Sequence, residues 1–310
     1  MGIAGLTLGG GIGILGRSHG LTCDSLLRAE VVLADGRRVD CDADHHEELF
    51  WALRGAGGGR FGVVTAFDFT TLPAPATTVF HLTWPFTEAR ALVAAWPDWA
   101  PHGPEPLDAT LRLTAEPPLV ELVGTWIGAE ADAANVLDDL VARVGAEPAS
   151  ATLRHSGYRD AKRYLDALGA AAESGSHLFT RSEYFRRPLP ADAIAALVDH
   201  LPQGLGPSES REVTFLPWGG AYNRVPSDAT AFAHRDALFL VQHLLLARPP
   251  VPAAARDWLT RSWSIVHPYG SGGVYPNFPD PDVDDRAYHG ANYERVQRVK
   301  AKYDPANVFI

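Results

Sequence analysis

The chain of 310 residues carries a single methionine and only two cysteines. Cys23 and Cys41 form no C-x-x-C pair, so the spacing of a zinc site is missing and no metal is expected. A disulfide between them is open, and two reduced thiols in a cytoplasmic protein is the simpler reading. Basic residues are in deficit, with 27 Lys+Arg against 37 Asp+Glu and a net charge of −10. That balance argues against nucleic acid as a partner. There is no apolar run of about 18 residues, so no membrane span is expected, and the first residues lack the pattern of a secretory signal. The G-x-S-x-G of an α/β-hydrolase is absent, as are repeats and low-complexity tracts.

What is present is a core. Hydrophobic residues make up 46% of the chain, with eight Trp, nine Tyr and thirteen Phe. That composition is globular, and the aromatics suit a large interior with a pocket among them. The length allows one large domain or two.

Ala29–Leu33 reads as a strand, Ala34-Asp35-Gly36 as a turn and Arg37–Cys41 as the returning strand. Asp44 is placed to cap a helix through Leu53 that ends in the glycines from Gly55 to Gly59. Phe61–Leu72 runs apolar with little alternation and reads as a buried strand, and Pro73-Ala-Pro75 marks a boundary. Beyond it, strands are expected at Val79–Trp84, Leu111–Thr114, Leu119–Ile127, Leu178–Phe185, Val213–Pro217 and Ala237–Leu246. Helices are expected from a Thr87 cap to Trp96, at Ala131–Val144, Asp160–Leu168, Pro190–Leu201 and Pro252–Val266. This pattern implies an antiparallel sheet covered by helices, an α+β class. From Gly270 the texture changes again, and a helix is expected over Asn292–Tyr303.

Four groups of residues invite a chemical reading. Gly11-Ile-Gly13-Ile-Leu-Gly16 fits G-x-G-x-x-G, but Arg17-Ser-His-Gly20 interrupts the helix a dinucleotide fold needs, and Asp35 is better used in the hairpin turn. The acids and histidines from Asp42 to Glu48 read as a solvated helix start. Gly55–Gly62 holds more glycines than a helix stop requires, so its backbone suits a planar or phosphate-bearing ligand. Tyr275-Pro-Asn277 sets a phenol beside an amide in a Gly/Pro-rich loop. The tyrosine is a candidate base if its pKa is depressed, and a buried tyrosine bonded to backbone is the alternative.

Taken together, eight segments resemble the FAD-linked oxidases of the berberine-bridge-enzyme type: Ala4–Gly13, His19–Asp24, Ala29–Gly36, Glu48–Gly55, Gly57–Val64, Ala229–Arg235, Tyr275–Asn277 and Val299–Phe309. They run in the family's order along the whole chain. The resemblance implies an FAD-binding domain of the vanillyl-alcohol-oxidase type, split around a substrate domain. Residues 1–75 and the return segment 270–310 belong to the first, and 76–269 to the second. It implies Tyr275 as the base for a hydroxyl or amine substrate. Gly9, Gly10, Gly11, Gly57, Gly58, Phe61, Gly62, Val63, Val64 and Asn277 fall along the cofactor. Relatives carry a long segment ahead of the equivalent of Gly2, with the pyrophosphate loop and the histidine and cysteine used for covalent attachment. The expectation is therefore an incomplete FAD-binding domain, with FAD noncovalent if bound. Three outcomes stay open: an oxidase, a flavin-free remnant that binds a small molecule, and a half-enzyme completed by a homodimer or another chain.

Overall fold

A computed structural model describes residues 2–169 and 175–309. The chain forms two compact units, one of Met1–Pro73, Ala221–Asp236 and Gly273–Ile310, the other of Ala74–Gly220 and Ala237–Gly272.

In the first unit, β1 (Leu26–Val32) pairs with β2 (Arg38–Asp42) as an antiparallel hairpin. Gly36 takes φ +81° at the turn, and the Asp35 carboxylate accepts from the Arg37 N–H at 3.0 Å. β3 (Val63–Phe69) joins the other side of β1, giving the order β2-β1-β3. The expectation of a buried strand here is corrected. β3 is an edge strand, Val63 is 57% exposed, and only Val64, Phe67 and Phe69 pack against the core. Its weak alternation has a local cause. The register passes from Glu30 opposite Ala66 to Val31 opposite Val64 and skips Thr65, whose hydroxyl donates to the Glu30 carboxylate at 2.6 Å. That bulge puts two inward side chains three positions apart.

The helix Glu47–Ala56 buries Leu49, Phe50, Trp51, Ala52 and Leu53. Asp42 supports its approach in place of Asp44, accepting from the N–H groups of Asp44 (2.9 Å) and His45 (2.7 Å). The C-terminal helix Tyr293–Tyr303 adds Val296, Val299 and Tyr303 to the same core. A short helix, Ile3–Leu8, occupies the glycine-dense start, where no element was expected.

The segment 221–236 belongs to the first unit although it comes from the middle of the chain. Ala231 and Phe232 donate their N–H groups to the carbonyls of Trp51 (3.2 Å) and Arg54 (3.1 Å), and the Trp51 indole donates to the Asp228 carbonyl at 2.8 Å. Arg235 holds Asp24 through two bonds of 2.9 and 2.6 Å.

The second unit is built on β4 (Ala76–Pro85), β5 (Leu107–Ala115), β6 (Pro118–Ile127), β7 (Ser150–Gly157), β8 (His177–Phe185), β9 (Glu209–Pro217) and β10 (Phe239–Ala247). Every pairing is antiparallel, in the order β7-β4-β6-β5-β9-β10-β8. β5 buries Leu107, Ala109, Leu111, Leu113 and Ala115 at a strict period of two. That face shares one core with the helices Ala89–Trp99, Glu130–Val144, Ala191–His200 and Ala253–Val266. The class is α+β with an antiparallel sheet and covering helices. Thr87 is not the expected cap: it lies in a 3-10 turn, Phe86–Glu88, and its hydroxyl donates to the Glu88 carboxylate at 3.3 Å.

Candidate functional site

The first unit brings the glycine-dense start and the 275–289 loop together. The Tyr275 side chain is buried, and its phenol oxygen accepts three N–H groups: Gly11 at 3.2 Å, Ile12 at 3.1 Å and the Asn277 amide at 3.0 Å. The Asn277 amide also donates to the Leu6 carbonyl at 3.0 Å. Burial pushes the Tyr275 phenol pKa up, and the three donors pull it down without cancelling that effect. The geometry is that of a tyrosine bonded to backbone. The depressed pKa that would mark a base at rest is not found.

Beside this knot lies a cavity of about 230 Å³. It is lined by Gly9, Gly55, Ala56 and Gly58 together with Pro276, Asn277 and Pro279. Arg60, Tyr288 and His289 complete it. Glycine is required at two places in this lining. At Gly55 the backbone has φ +123°, and a Cβ would collide with the Phe232 backbone. At Gly9 a Cβ would overlap the Asn277 amide.

The polar groups of the lining are mostly spoken for. Arg60 grips Asp285 with two N–H groups, one of them at 2.9 Å, so the pair brings no net charge. The Tyr288 hydroxyl donates to the Asp280 carbonyl at 3.1 Å and accepts from the Asp280 N–H at 2.7 Å. His289 is the exception. It is 1% exposed, and neither ring nitrogen has a hydrogen-bond partner. Burial first, then the Arg60 charge, pushes its pKa down to about 4, so it is neutral at physiological pH.

Of the residues expected along a cofactor, Gly9, Gly58 and Asn277 line the cavity. Tyr275 and Gly11 adjoin it through the bonds above. Gly10 and Gly57 turn inward, donating to the carbonyls of Thr7 and Leu8 at 3.0 Å each. Phe61 is buried in the core, Gly62 backs onto the Val32 carbonyl, and Val63 and Val64 lie on β3. Those last six do not line the cavity. Arg60, Tyr288 and His289 were missed. In the sequence Arg60 is embedded in a glycine run, and a lone histidine in a short helix, Asp285–His289, has no spacing signal.

Residues 274–310 match the family model described as berberine and berberine like. The uncharacterized FAD-linked oxidoreductase YvdP of Bacillus subtilis (strain 168) is 33% identical over 314 residues, spanning 100% of this chain and 69% of its own length. YgaK of the same organism, with the same description, is 31% identical over 316 residues with the same coverage. The crystal structure of the Acremonium strictum glucooligosaccharide oxidase superposes with a TM-score of 0.87 at 29% identity, covering 100% of this chain and 69% of that one. With this similarity running the full length of the sequence, the chain belongs to the family of berberine-bridge-enzyme-like FAD-linked oxidoreductases.

Proposed function

We propose that the protein is an FAD-dependent oxidase acting on a hydroxyl or amine of an organic small molecule. The observation that carries this reading is convergence: Gly9, Gly58 and Asn277, three residues far apart in sequence, line one cavity beside Tyr275. The residues fit one planar ring of the cofactor. Glycines leave the lining free of side chains at Gly9, Gly55 and Gly58, and a buried histidine keeps its nitrogens uncommitted. A volume of about 230 Å³ sits below the roughly 300–1,000 Å³ of whole-ligand pockets, so the cavity holds a ring and not the full dinucleotide.

FAD, when bound, supplies the hydride acceptor. The chain supplies position and proton handling. Asn277 fixes the 275–277 loop against the Leu6 carbonyl, and the Tyr275 oxygen takes the substrate proton only as tyrosinate, after its own phenol proton, held at rest by burial, has left to solvent. Three N–H groups aimed at that oxygen lower the cost of forming the anion, without outweighing burial. We read the attachment as noncovalent, since Cys23 and Cys41 are both free and buried and neither lines the cavity. Two buried reduced thiols also suit a cytoplasmic location. Among the described residues no helix is long and apolar enough to cross a membrane.

The test is oxygen uptake by the FAD-loaded protein with sugars, the substrates in one relative's name, and with simple alcohols and amines. Tyr275→Phe should slow turnover while FAD stays bound; unchanged turnover removes Tyr275 from the reaction. The small cavity also favours a second reading, in which a homodimer or complementing chain holds the rest of FAD. Binding that strengthens with protein concentration would support it.

A further inference from the structure

His289 sits where a hydrocarbon ring would pack at lower cost. A buried polar group without partners is destabilising, and native proteins keep few of them. The groups around it leave it unpaired. The Asp285 carboxylate is 3.8 Å from Nε2, outside hydrogen-bond range, and is held by Arg60 and by the Gln297 amide at 3.4 Å. The nearby His234 is engaged with the Tyr288 carbonyl at 3.0 Å. The imidazole thus offers one N–H and one lone pair with no protein group to take either.

The rest of the lining narrows what would take them. Arg60 is the only cation among the described lining residues, and its charge is balanced by Asp285, so a phosphate gains little here. Gly55, Gly58, Pro276 and Pro279 bring neither charge nor a polar side chain to the lining, which favours a neutral ligand. A neutral nitrogen heteroaromatic ring meets each condition: it is uncharged and its edge carries donors and acceptors. FAD holds two such rings, adenine and isoalloxazine.

We propose that His289 hydrogen-bonds the heteroaromatic ring of the bound cofactor and so sets the affinity of this cavity for it. The proposal rests on the FAD reading above. His289 is a binding residue here and takes no part in proton transfer.

The experiment is a titration of the flavin-free protein with FAD, followed by quenching of flavin fluorescence, for the wild type, His289→Phe, His289→Leu and His289→Gln. Thermal melting checks each fold, and His289→Leu replaces His289→Phe if the larger ring prevents folding. The expected result is a weakening of about tenfold in the apolar variants, the size of one buried hydrogen bond. His289→Gln, which keeps a donor and an acceptor, should stay within about threefold of wild type. Parallel titrations with riboflavin and ADP identify the ring, since only the fragment that reaches His289 loses affinity in the apolar variants. Equal FAD affinity in wild type and apolar variants would overturn the proposal and leave the functional reading intact. A loss for FAD with neither fragment affected would overturn it too, making the effect one of packing. A wild type that binds no FAD would overturn the functional reading itself.

Discussion

Replacing Asp24 by asparagine removes the charge opposite Arg235. Both groups are nearly enclosed, with 11% and 2% of their side chains exposed. Arg235 reaches both carboxylate oxygens, at 2.9 and 2.6 Å, and also donates to the Thr230 hydroxyl at 3.1 Å. Asparagine keeps one acceptor and turns an NH2 group toward the guanidinium, leaving a buried cation without a counter-charge. Losing one member of such a pair costs about 3–5 kcal/mol. That is a large share of the roughly 5–15 kcal/mol that holds a domain folded. The loss falls on the first unit, because Arg235 anchors the segment 221–236 to Asp24 while the Trp51 indole grips the same segment at Asp228. Urea unfolding followed by tryptophan fluorescence reads the cost. Arg235→Met should cost a similar amount, and the double variant far less than the two combined, because it removes the unpaired charge along with its partner. A cost below about 1 kcal/mol for Asp24→Asn, or additive effects in the double variant, would refute the argument.

Acid should destabilise both units. His289 in the first and His243 in the second are held neutral by burial, with pKa values pushed down to about 4 and about 3 from 6.5. As pH falls below 6.5 the unfolded chain takes up these protons first, so stability drops until the folded-state values are reached and then levels off. The gap at His289 is worth about 3 kcal/mol, and His289→Gln should flatten that part of the pH profile; an unchanged profile contradicts it. Gly55→Ala should lower the melting temperature or prevent folding, whereas Gly58→Ala, where a Cβ meets nothing within 4 Å, should fold normally. Similar melting of the two variants would show that the Gly55 strain is absent.

Much of the fold is legible in local signals. The Asp35-Gly36 turn, the strict alternation of β5 and the apolar faces of the long helices each carry their own period. The failures have physical causes. β7, Ser-Ala-Thr-Leu-Arg-His-Ser-Gly, is an edge strand with little burial, so no hydrophobic period marks it. The bulge at Thr65 disguised an exposed edge strand as a buried one. Asp42 and Asp44 are both acceptors of the right type, and the folded turn uses Asp42, which accepts from the N–H groups of Asp44 and His45. The segment 221–236 belongs to the first unit through long-range bonds from Trp51, Arg54 and Asp24, which no local pattern encodes. At the site, the glycines and Asn277 were readable because the resemblance covers them. His289 was not, because what distinguishes it is the absence of partners once the chain has folded.

The measurement closest to the central claim is the visible absorbance of the purified 310-residue protein during FAD titration, with unbound cofactor removed by gel filtration. The account predicts a saturable flavin spectrum that travels with the protein and is released on denaturation. A protein that stays colourless with FAD in excess would contradict it.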